Sequence, residues 1–370
     1  MDQEIGPDPE AQIEQRLLEL LGDETRRNGV PKTGVATAPA IAVENLAKRY
    51  PNGTQAVDGL SFRVQTGEIY GVLGPNGAGK STTIGILGTL VRRSGGRATV
   101  AGLDVAADAK EVRRKIGFAM QEVGVDELAT GSEFLVLQGR LQGLSRGEAI
   151  RRAEILLGLV DLETVANQRI GQYSGGMKRR VDLASALIHL PPILFLDEPT
   201  EGLDPRARGA IWETLQRLNT MLAMTIVLST HYMDEADRLC DRIGIVDRGR
   251  IVAEGTPAEL KASVGGQTLS LHYSHESAPE TLIRVRAVLL ARPDVRDVVV
   301  TDGDLSVDVE DAATIAPEIL RLLEREGAAP QALSIKQPTL EDVYLRSTGR
   351  SFEGAEATTG QTDATETEAA

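Results

Sequence analysis

The sequence of 370 residues has a single cysteine, Cys240. One thiol cannot form an internal disulfide, and by itself it cannot supply a zinc cluster or a redox pair. The sequence also lacks a run of about 18 uncharged apolar residues, so we expect no helix that spans a membrane. A basic-then-apolar signal pattern is missing from the acidic N-terminus. These absences predict a soluble protein of a reducing compartment.

Basic residues are fewer than acidic ones, 40 against 54, which gives a formal net charge of −14. This balance argues against a nucleic-acid protein held by a broad basic surface. The excess lies largely at the ends: residues 1–40 hold eight acids and four bases, and residues 351–370 hold five acids and no base. We expect a flexible acidic leader over 1–40, with one short amphipathic helix at Ile13–Leu21, and a disordered acidic tail over 349–370.

Short apolar runs bounded by turn residues predict strands from Ile41 onward. Two of them, Ile193–Leu196 and Thr225–Ser229, suit parallel strands that helices bury on both faces. A hairpin is predicted at 243–253, with its turn at Asp247-Arg248-Gly249. Residues 126–170 are instead rich in helix formers, with apolar positions three to four apart. Together with the next helical run they predict an α/β domain that has a helical subdomain over about 126–186.

A domain boundary is expected near Ser263–Gln267, where Gly265-Gly266 interrupts the chain. Beyond it the pattern predicts the order β-α-β-β-α-β, a ferredoxin-like arrangement. The predicted elements are strand 268–274, helix 279–291, strand 295–301, a turn at Asp302-Gly303, strand 304–310, helix 312–326 and strand 331–336, followed by a short amphipathic piece, Leu340–Leu345. The expected folded domains are therefore 41–262 and 267–348.

The sharpest motif is a glycine-rich segment between a predicted strand, Glu68–Leu73, and a helical pattern, Thr82–Leu90. This strand–loop–helix context is the one that a phosphate-binding loop requires. Glycines allow backbone N–H groups to curl around phosphate oxygens, and the helix N-terminus adds partial positive charge. Lys80 would reach the β- and γ-phosphates, and the Ser81 hydroxyl would be a ligand of Mg²⁺. The segment consists of Gly74, Pro75, Asn76, Gly77, Ala78, Gly79, Lys80, Ser81 and Thr82.

Two acids end the apolar strand that begins at Ile193. At the carboxyl edge of a parallel sheet, where ligands collect, they would lie beside the phosphates. Asp197 suits the magnesium site, and Glu198 would face the γ-phosphate and polarise a water. Alone, such a strand end is equally consistent with two solvated acids. The phosphate loop in the same chain favours the functional interpretation.

A third motif is a Ser-Gly-Gly turn that opens a helix, Ser174-Gly175-Gly176-Met177, followed by Lys178-Arg179-Arg180. Such a turn is a second anion cradle. One ATP is not easily held by two cradles about a hundred residues apart unless two chains meet. The basic run would suggest nucleic acid in isolation, but we interpret it as a helix face that offsets nearby acids.

Together with Gly202-Leu203-Asp204 and His231, these motifs follow the order found in the ATP-binding subunits of ABC transporters, which the sequence resembles over roughly residues 41–260. Within that family, the sequence most resembles the daunorubicin-type drug-export ATPases. The resemblance lies in Val123–Gly143, in the motif Tyr-Ser-Gly-Gly-Met at 173–177 and in Pro338–Tyr344. The resemblance implies an α/β P-loop ABC ATPase cassette, with a RecA-like core, a helical subdomain and an antiparallel β subdomain. A small α+β ferredoxin-like C-terminal domain would follow.

The resemblance also implies ligands and partners. ATP and Mg²⁺ would bind between this cassette and a second one, which we expect to be an identical copy. An integral-membrane permease, encoded separately, would hold the protein at the cytoplasmic face of a bacterial cell membrane. No nucleic acid is expected.

Roles for individual residues follow from the same resemblance. Tyr50 matches the aromatic that stacks on adenine, although an aromatic that plugs a sheet edge is the alternative. Gln121 matches the glutamine that touches Mg²⁺ and the attacking water and senses the permease. His231 matches the switch histidine on the γ-phosphate, with a hydrogen-bonded structural histidine as the alternative. Asp204 matches the loop through which two cassettes communicate. The residues that would bind the partner's nucleotide are Ser174, Gly175, Gly176 and Met177.

Two positions depart from the family pattern. Met177 stands where the wider family more often has glutamine, and Glu201 stands where a small or neutral residue is commoner. An extra acid near the nucleotide is expected to weaken ATP-driven closure by like-charge repulsion.

The expected function is that of the ATPase subunit of an exporter of a drug-like or lipophilic compound. The alternative is a soluble ABC ATPase that acts on ribosomes or DNA without transport. Such proteins carry two cassettes in one chain, long coiled coils or zinc-binding cysteines, whereas this sequence has one phosphate loop, no long heptad stretch and one cysteine. For the C-terminal domain, regulation or subunit contact is favoured over substrate binding because it has few aromatics and no polar cluster.

Overall fold

The computed structural model describes Gln15 and residues 38–273, 279–301 and 304–352. The chain divides into two compact units, one covering residues up to Glu254 together with Phe352, and the other Gly255–Ser351. We call them the first unit and the C-terminal unit. The predicted helix at Ile13–Leu21, apart from Gln15, and the predicted tail beyond residue 352 lie outside the described residues.

One sheet of the first unit is antiparallel. Its strands are β1 (Ile41–Arg49), β2 (Gln55–Val64), β4 (Gly95–Val100) and β5 (Leu103–Asp104), in the order β2-β1-β4-β5. Along the second half of β2, Leu60, Phe62 and Val64 are buried while the residues between them are exposed. This period of two is typical of a strand that packs one face against a core.

The central sheet of the first unit has six strands, in the order β10-β9-β3-β8-β7-β6. They are β3 (Ile69–Leu73), β6 (Ile116–Ala119), β7 (Ile193–Asp197), β8 (Thr225–Thr230), β9 (Arg242–Asp247) and β10 (Arg250–Gly255). Every residue of β3, β7 and β8 is buried, and these strands pair in parallel, as their apolar sequences predict. Leu73 pairs with Thr230, and Asp197 with Ser229, so the carboxyl ends of the three strands lie side by side.

Two local features stabilise this sheet. The predicted hairpin joins β9 to β10 through Arg248 and Gly249, whose φ angles of 47° and 75° are those of a tight two-residue turn. The free thiol of Cys240 is buried against β3, where a Cβ on Gly71 would lie 2.6 Å from its sulfur. Burial raises the pKa of the Cys240 thiol well above its usual value.

The helices of the first unit are α1 (Lys80–Leu87), α2 (Ala109–Lys115), α3 (Gly131–Leu141), α4 (Arg146–Leu159), α5 (Gly175–Leu187), α6 (Pro205–Leu222) and α7 (Met233–Leu239). Helices α3, α4 and α5 pack on one another in the region of the predicted helical subdomain. Side chains cap their N-termini: Thr130, Ser145 and Ser174 each accept a backbone N–H of the first turn. Among the described residues, no helix is long and apolar enough to cross a bilayer.

The C-terminal unit contains α8 (Pro257–Val264), β11 (Gln267–His272), α9 (Pro279–Leu290), β12 (Val295–Thr301), β13 (Asp304–Val309), α10 (Ala312–Arg325), β14 (Ala332–Lys336) and α11 (Leu340–Thr348). Its sheet has the order β12-β13-β11-β14 with antiparallel pairings, which confirms the predicted ferredoxin-like arrangement. Alternate residues of β11 and β13 face a core shared with the helices, among them Leu269, Leu271, Leu305 and Val307. The predicted turn at 302–303 lies outside the described residues.

The two units divide at Glu254, ahead of the boundary predicted near Ser263–Gln267. Helix α8 is the reason: it packs on α11, and Arg346 donates to the carbonyl of Ser263 at 3.2 Å, so α8 belongs to the C-terminal unit. The two glycines that suggested a boundary have φ angles of 70° and 84°. They make a turn inside this unit rather than a linker.

Candidate functional site

The glycine-rich loop leaves β3 and enters α1 along a path that excludes larger residues. Gly77 and Gly79 have φ angles of 75° and 101°. A Cβ at Gly79 would lie 2.2 Å from the carbonyl oxygen of Ala56, and one at Gly74 would lie 2.3 Å from that of Val246. Contacts this short require the backbone to shift, so the loop takes this path only with glycine at both positions.

Helix α1 has Gly79 at its N-cap and therefore no side-chain cap, unlike α3, α4 and α5. The first N–H groups of a helix have no partner within it, and the helix N-terminus carries partial positive charge. A phosphate group satisfies both. The segment over 74–82 therefore has the geometry that the predicted phosphate loop needs.

Lys80 is the cation of this loop. Its side chain is 4% exposed, and its Nζ donates to the carbonyls of Gly74 at 2.8 Å and Pro75 at 3.2 Å. The same nitrogen lies 3.1 Å from Oε1 of Glu198. An ammonium held at the mouth of the loop by two carbonyls is in position to meet phosphate oxygens.

Asp197 and Ser81 approach each other across the gap between β7 and α1. The Ser81 hydroxyl donates to Asp197 Oδ1 at 3.0 Å, and the hydroxyl of Ser229 on β8 donates to the same oxygen. No cluster of three or more His, Cys, Asp or Glu forms a metal site in the described part of the chain. Mg²⁺ is commonly held by one or two protein oxygens, with phosphates and waters completing its shell. The pair Ser81–Asp197 fits that requirement.

Glu198, the residue after β7, is 6% exposed and has two polar neighbours, His231 and Lys80. His231 Nδ1 lies 3.1 Å from its Oε2, and Lys80 lies beside Oε1. Burial opposes the charged carboxylate, but the hydrogen bond from His231 and the charge of Lys80 outweigh it and lower the pKa of Glu198 from 4.5 to about 2. Glu198 is thus a carboxylate at neutral pH, with a φ angle of 48° that costs a non-glycine residue about 1–2 kcal/mol.

Gln121 contacts an acid rather than the residues around Lys80. Its amide Nε2 donates to Oε2 of Glu201 at 2.7 Å. The sequence interpretation treated Glu201 only as a source of repulsion, but here it holds the side chain of Gln121. The carboxylate and amide at this spacing form a charge-assisted hydrogen bond.

Tyr50 lies at the N-terminal end of α1, where its hydroxyl is 3.3 Å from Oγ1 of Thr82. The ammonium of Lys48 is 4.8 Å from the centre of the Tyr50 ring, on its face. The ring is half-buried beside the phosphate loop. This position fits a role in stacking on a base next to the bound phosphates.

The Ser174 turn and Asp204 cap helices. The Ser174 hydroxyl accepts the N–H of Met177 at 3.3 Å at the start of α5, and Asp204 Oδ1 accepts the N–H groups of Arg206 and Ala207 at the start of α6. Within the described ranges, no hydrogen bond or ion pair joins the Ser174 turn to the phosphate loop. The predicted residues therefore form two groups that are not joined by such a contact. One group lies around Lys80, and the other lies around Ser174.

The three side chains of the basic run after this turn lie beside acids, as predicted. Lys178 pairs with Glu127, Arg179 lies 3.5 Å from Asp182, and Arg180 lies 3.7 Å from Asp161. The sequence pattern did not show that Arg179 is buried and points toward the ends of β6 and β7. Helical spacing could have revealed it, because Arg179 lies four residues before the buried Leu183 on one face of α5. Nothing in the sequence pattern marks Ser229, whose hydroxyl also accepts the N–H of Glu198 at 3.1 Å.

Comparison with known proteins gives two family matches. Residues 57–201 match the ABC transporter family, and residues 255–348 match the C-terminal domain of DrrA1-3-like ATP-binding proteins. The daunorubicin resistance ATP-binding protein DrrA2 of Streptomyces coeruleorubidus is 43% identical over 319 residues, which cover 86% of this chain and 98% of that protein. The linearmycin resistance ATP-binding protein LnrL of Bacillus subtilis (strain 168) is 38% identical, covering 84% and 99%. The Nod factor export ATP-binding protein I of Rhizobium sp. (strain N33) is 42% identical, covering 80% and 93%.

Two solved structures that resemble this chain also belong to ABC transporters or their ATP-binding cassettes. The dimeric post-hydrolysis state of the ATP-binding cassette MJ0796 bound to ADP and Pi aligns with a TM-score of 0.54 and 31% identity, covering 58% of this chain and 98% of that one. The structure of cbiO1 from Clostridium perfringens, part of the ABC transporter complex cbiONQ, aligns with a TM-score of 0.57 and 27% identity, covering 70% and 97%.

Proposed function

The chain belongs to the ATP-binding subunits of ABC transporters, with a DrrA-like C-terminal domain, and from that premise we propose that it drives efflux of a drug-like or lipophilic compound through a separate membrane permease. Its ABC domain makes it an ATPase. The relatives are drug-resistance and export subunits, which support an exporter over the alternative of an ATPase acting on ribosomes or DNA. The observation that carries the proposal is the convergence of Lys80, Asp197, Glu198 and His231 at the carboxyl edge of the central sheet.

Hydrolysis in this site would depend on positioning and charge. The loop from Gly74 to Thr82 holds the phosphates through backbone N–H groups, and Lys80 neutralises charge on the β- and γ-phosphates. Glu198 is ionised at neutral pH and can accept a proton from, or polarise, the attacking water. His231, already bonded to Glu198, would contact the γ-phosphate. Tyr50 would stack on the adenine.

The same residues can hold Mg²⁺. Ser81, Asp197 and Gln121 would be its protein contacts, and the metal, when bound with ATP, supplies positive charge to the transferring phosphoryl group. Gln121 would meet it through its side-chain oxygen, because the hydrogen bond to Glu201 uses the side-chain nitrogen.

We further propose that ATP is bound between two cassettes. Each would lend its phosphate loop to one nucleotide and its Ser174 turn to the other, with Gly175, Gly176 and Met177 completing the second cradle and Asp204 communicating between the sites. The separation of the two groups of residues within one chain supports this arrangement. So do the dimeric relatives among solved ABC cassettes.

The permease would dock near Gln121. Three apolar side chains are exposed on the segment around it, Met120, Val123 and Leu128. An exposed apolar cluster next to a residue that touches the nucleotide suits a subunit that transmits closure of the cassettes to a membrane partner. The proposal places the chain at the cytoplasmic face of a bacterial cell membrane, and assigns the C-terminal unit to regulation or subunit contact.

A variant that binds ATP without hydrolysing it tests the two-cassette arrangement. Glu198→Gln should keep ATP binding, lose turnover and accumulate as a dimer in ATP, because glutamine lacks the carboxylate but keeps the size. Size-exclusion chromatography with and without ATP reads the dimer directly. Adding Ser174→Arg should abolish the dimer by blocking the second cradle, whereas Ser145→Arg, at the capped start of α4, serves as the matched control. A monomer with wild-type turnover in Glu198→Gln would overturn the proposal.

Transport is tested in cells. Co-expression of the chain with its permease should lower the accumulation of a fluorescent lipophilic drug such as an anthracycline, and Lys80→Ala should abolish this effect. Equal accumulation in both strains would contradict the export role.

A further inference from the structure

Arg179 of α5 is 5% exposed and donates to four backbone carbonyls at the ends of two strands of the six-stranded sheet, β6 and β7. Its Nη2 donates to Asp197 at 2.9 Å and to Glu198 at 3.2 Å, and its Nε donates to Pro199 at 2.8 Å. Its Nη1 donates to the carbonyl of Met120. One guanidinium thus joins the segment after β7 to the segment after β6.

These contacts fix the backbone on both sides of Glu198. The carbonyls of Asp197 and Glu198 belong to the peptide groups before and after the Glu198 Cα. The Glu198 N–H, in turn, donates to the carbonyl of Ser229 at 3.2 Å and to its hydroxyl. A positive φ at a non-glycine residue persists only where the surroundings determine it. At Glu198, whose φ is 48°, Arg179 and Ser229 provide those surroundings.

Asp182 is the buried counter-ion of this guanidinium. It lies one turn along α5, is 7% exposed, and its Oδ2 is 3.5 Å from Arg179 Nη1. The same Nη1 donates to the carbonyl of Met120, the residue before Gln121, so the ion pair lies beside the segment that carries Gln121.

A purely structural role does not explain such a pair well. Burying two charges carries a desolvation cost that their attraction only about offsets, so apolar residues of similar size would stabilise the helix equally well. Burial in fact raises the pKa of Asp182 to about 6, against the opposing effects of Arg179 and Gly124. What apolar residues could not do is hold four backbone carbonyls in one geometry.

We propose that Arg179, with Asp182 as its buried counter-ion, forms a positioning clamp that sets the backbone of Glu198 for ATP hydrolysis. The clamp rests on the proposed function, because it presupposes that Glu198 acts on ATP. It lies on the helix that begins with the Ser174 turn, so it ties the cradle for one nucleotide to the residues that hydrolyse the other.

The test compares hydrolysis with binding in the purified full chain. Arg179→Gln combined with Asp182→Asn removes both charges and keeps similar volumes. This variant should lower kcat on the order of 10²-fold, the effect of misplacing reacting groups by about 1 Å, with the Kd for ATP unchanged within about threefold. The matched control is Arg180→Gln, which removes a neighbouring arginine that donates to the Val160 carbonyl at 2.7 Å, away from Glu198, and should leave kcat unchanged.

A second measurement separates positioning from general loosening of the fold. In a Glu198→Gln background, the same two substitutions should lower the single-turnover rate by less than about threefold, because the carboxylate that the clamp positions is already gone. A full loss in both backgrounds would overturn the proposal, as would a weakened ATP affinity that accounts for the lost rate.

If the double variant does not fold, Arg179→Lys replaces it under the same criteria, because lysine keeps the buried charge but cannot reach the carbonyls on both sides of Glu198 at once. Failure of the proposed function would appear in the wild-type chain, as turnover that Lys80→Ala does not abolish. Failure of the clamp would leave wild-type turnover intact and the clamp variants equally active.

Discussion

The buried pair of Lys80 and Glu198 can be tested by removing each charge singly and then both together. Lys80→Met leaves the Glu198 carboxylate with His231 as its remaining partner, and Glu198→Gln leaves the ammonium with two loop carbonyls. Each single variant therefore keeps a buried charge without its counter-ion, whereas the double variant keeps neither. The two substitutions should be strongly non-additive.

The magnitude follows from the pKa of Glu198. The difference between its usual value of 4.5 and about 2 is equivalent to roughly 3 kcal/mol in favour of the folded carboxylate. Because His231 and Lys80 share this effect, we expect a coupling energy of about 1.5–2 kcal/mol between the two substitutions. The pKa is lower in the folded state, so the stabilisation is present above pH 4.5 and is lost as pH falls from 4.5 to about 2.

Urea unfolding followed by tryptophan fluorescence measures this coupling energy in the first unit, which contains both Lys80 and Glu198. Trp212 is the only tryptophan of the chain and is buried in the first unit, so its emission reports the unfolding of that unit. The control pair is Arg250–Asp58, an exposed ion pair in which coupling should stay below about 0.5 kcal/mol. Additive losses at Lys80 and Glu198, within the same margin as the control, would refute the reasoning.

Three further perturbations test other parts of the site and fold. Glu201→Ala should raise kcat several-fold, because it removes an extra carboxylate near the nucleotide whose like charge opposes ATP-driven closure; a lower rate in steady-state assays would mean that Glu201 positions Gln121 productively through its hydrogen bond. Gly79→Ala should abolish ATP binding in a titration while circular dichroism stays unchanged, since a Cβ there meets a carbonyl at 2.2 Å; unaltered affinity would contradict the loop geometry. A chain ending at Glu254 should bind ATP and remain monodisperse, whereas one ending at Lys261 keeps the first five residues of α8 without its partner helix and should aggregate; the reverse outcome in light scattering would place the boundary where the glycines suggested.

The fold was predictable wherever one physical signal dominated. Runs that are apolar throughout, such as Ile193–Leu196, gave the buried parallel strands, because only a strand covered on both faces dispenses with alternation. In Leu269–Leu271 and Leu305–Val307, apolar residues alternate with polar ones. This alternation predicted the ferredoxin-like sheet, because such strands bury only one face. The domain boundary was misplaced because two glycines mark a turn and a linker equally well. Only the packing of α8 distinguishes them.

The site was predictable as a set of motifs but not as a set of contacts. The loop around Lys80 and the acids after β7 could be recognised because the chemistry of phosphate binding constrains consecutive residues. The contacts of Glu201 with Gln121 and of Arg179 with the Glu198 backbone join residues 80 and about 20 apart, and no local pattern encodes them. In the run Lys178-Arg179-Arg180, sequence alone assigned one environment to three side chains that face three different directions around the helix.

The rate at which the single thiol is alkylated measures how often the central sheet opens around Cys240. Cys240 is packed against Gly71 of β3 and its burial keeps it protonated, so an alkylating reagent can react with it only after that part of the sheet opens. With no second cysteine in the chain, every labelled molecule reports this one event. A ligand that binds only the closed sheet slows labelling by the factor 1 + [L]/Kd. Alkylation followed by mass spectrometry would therefore rank nucleotides by affinity without a dye, a mutation or an activity assay.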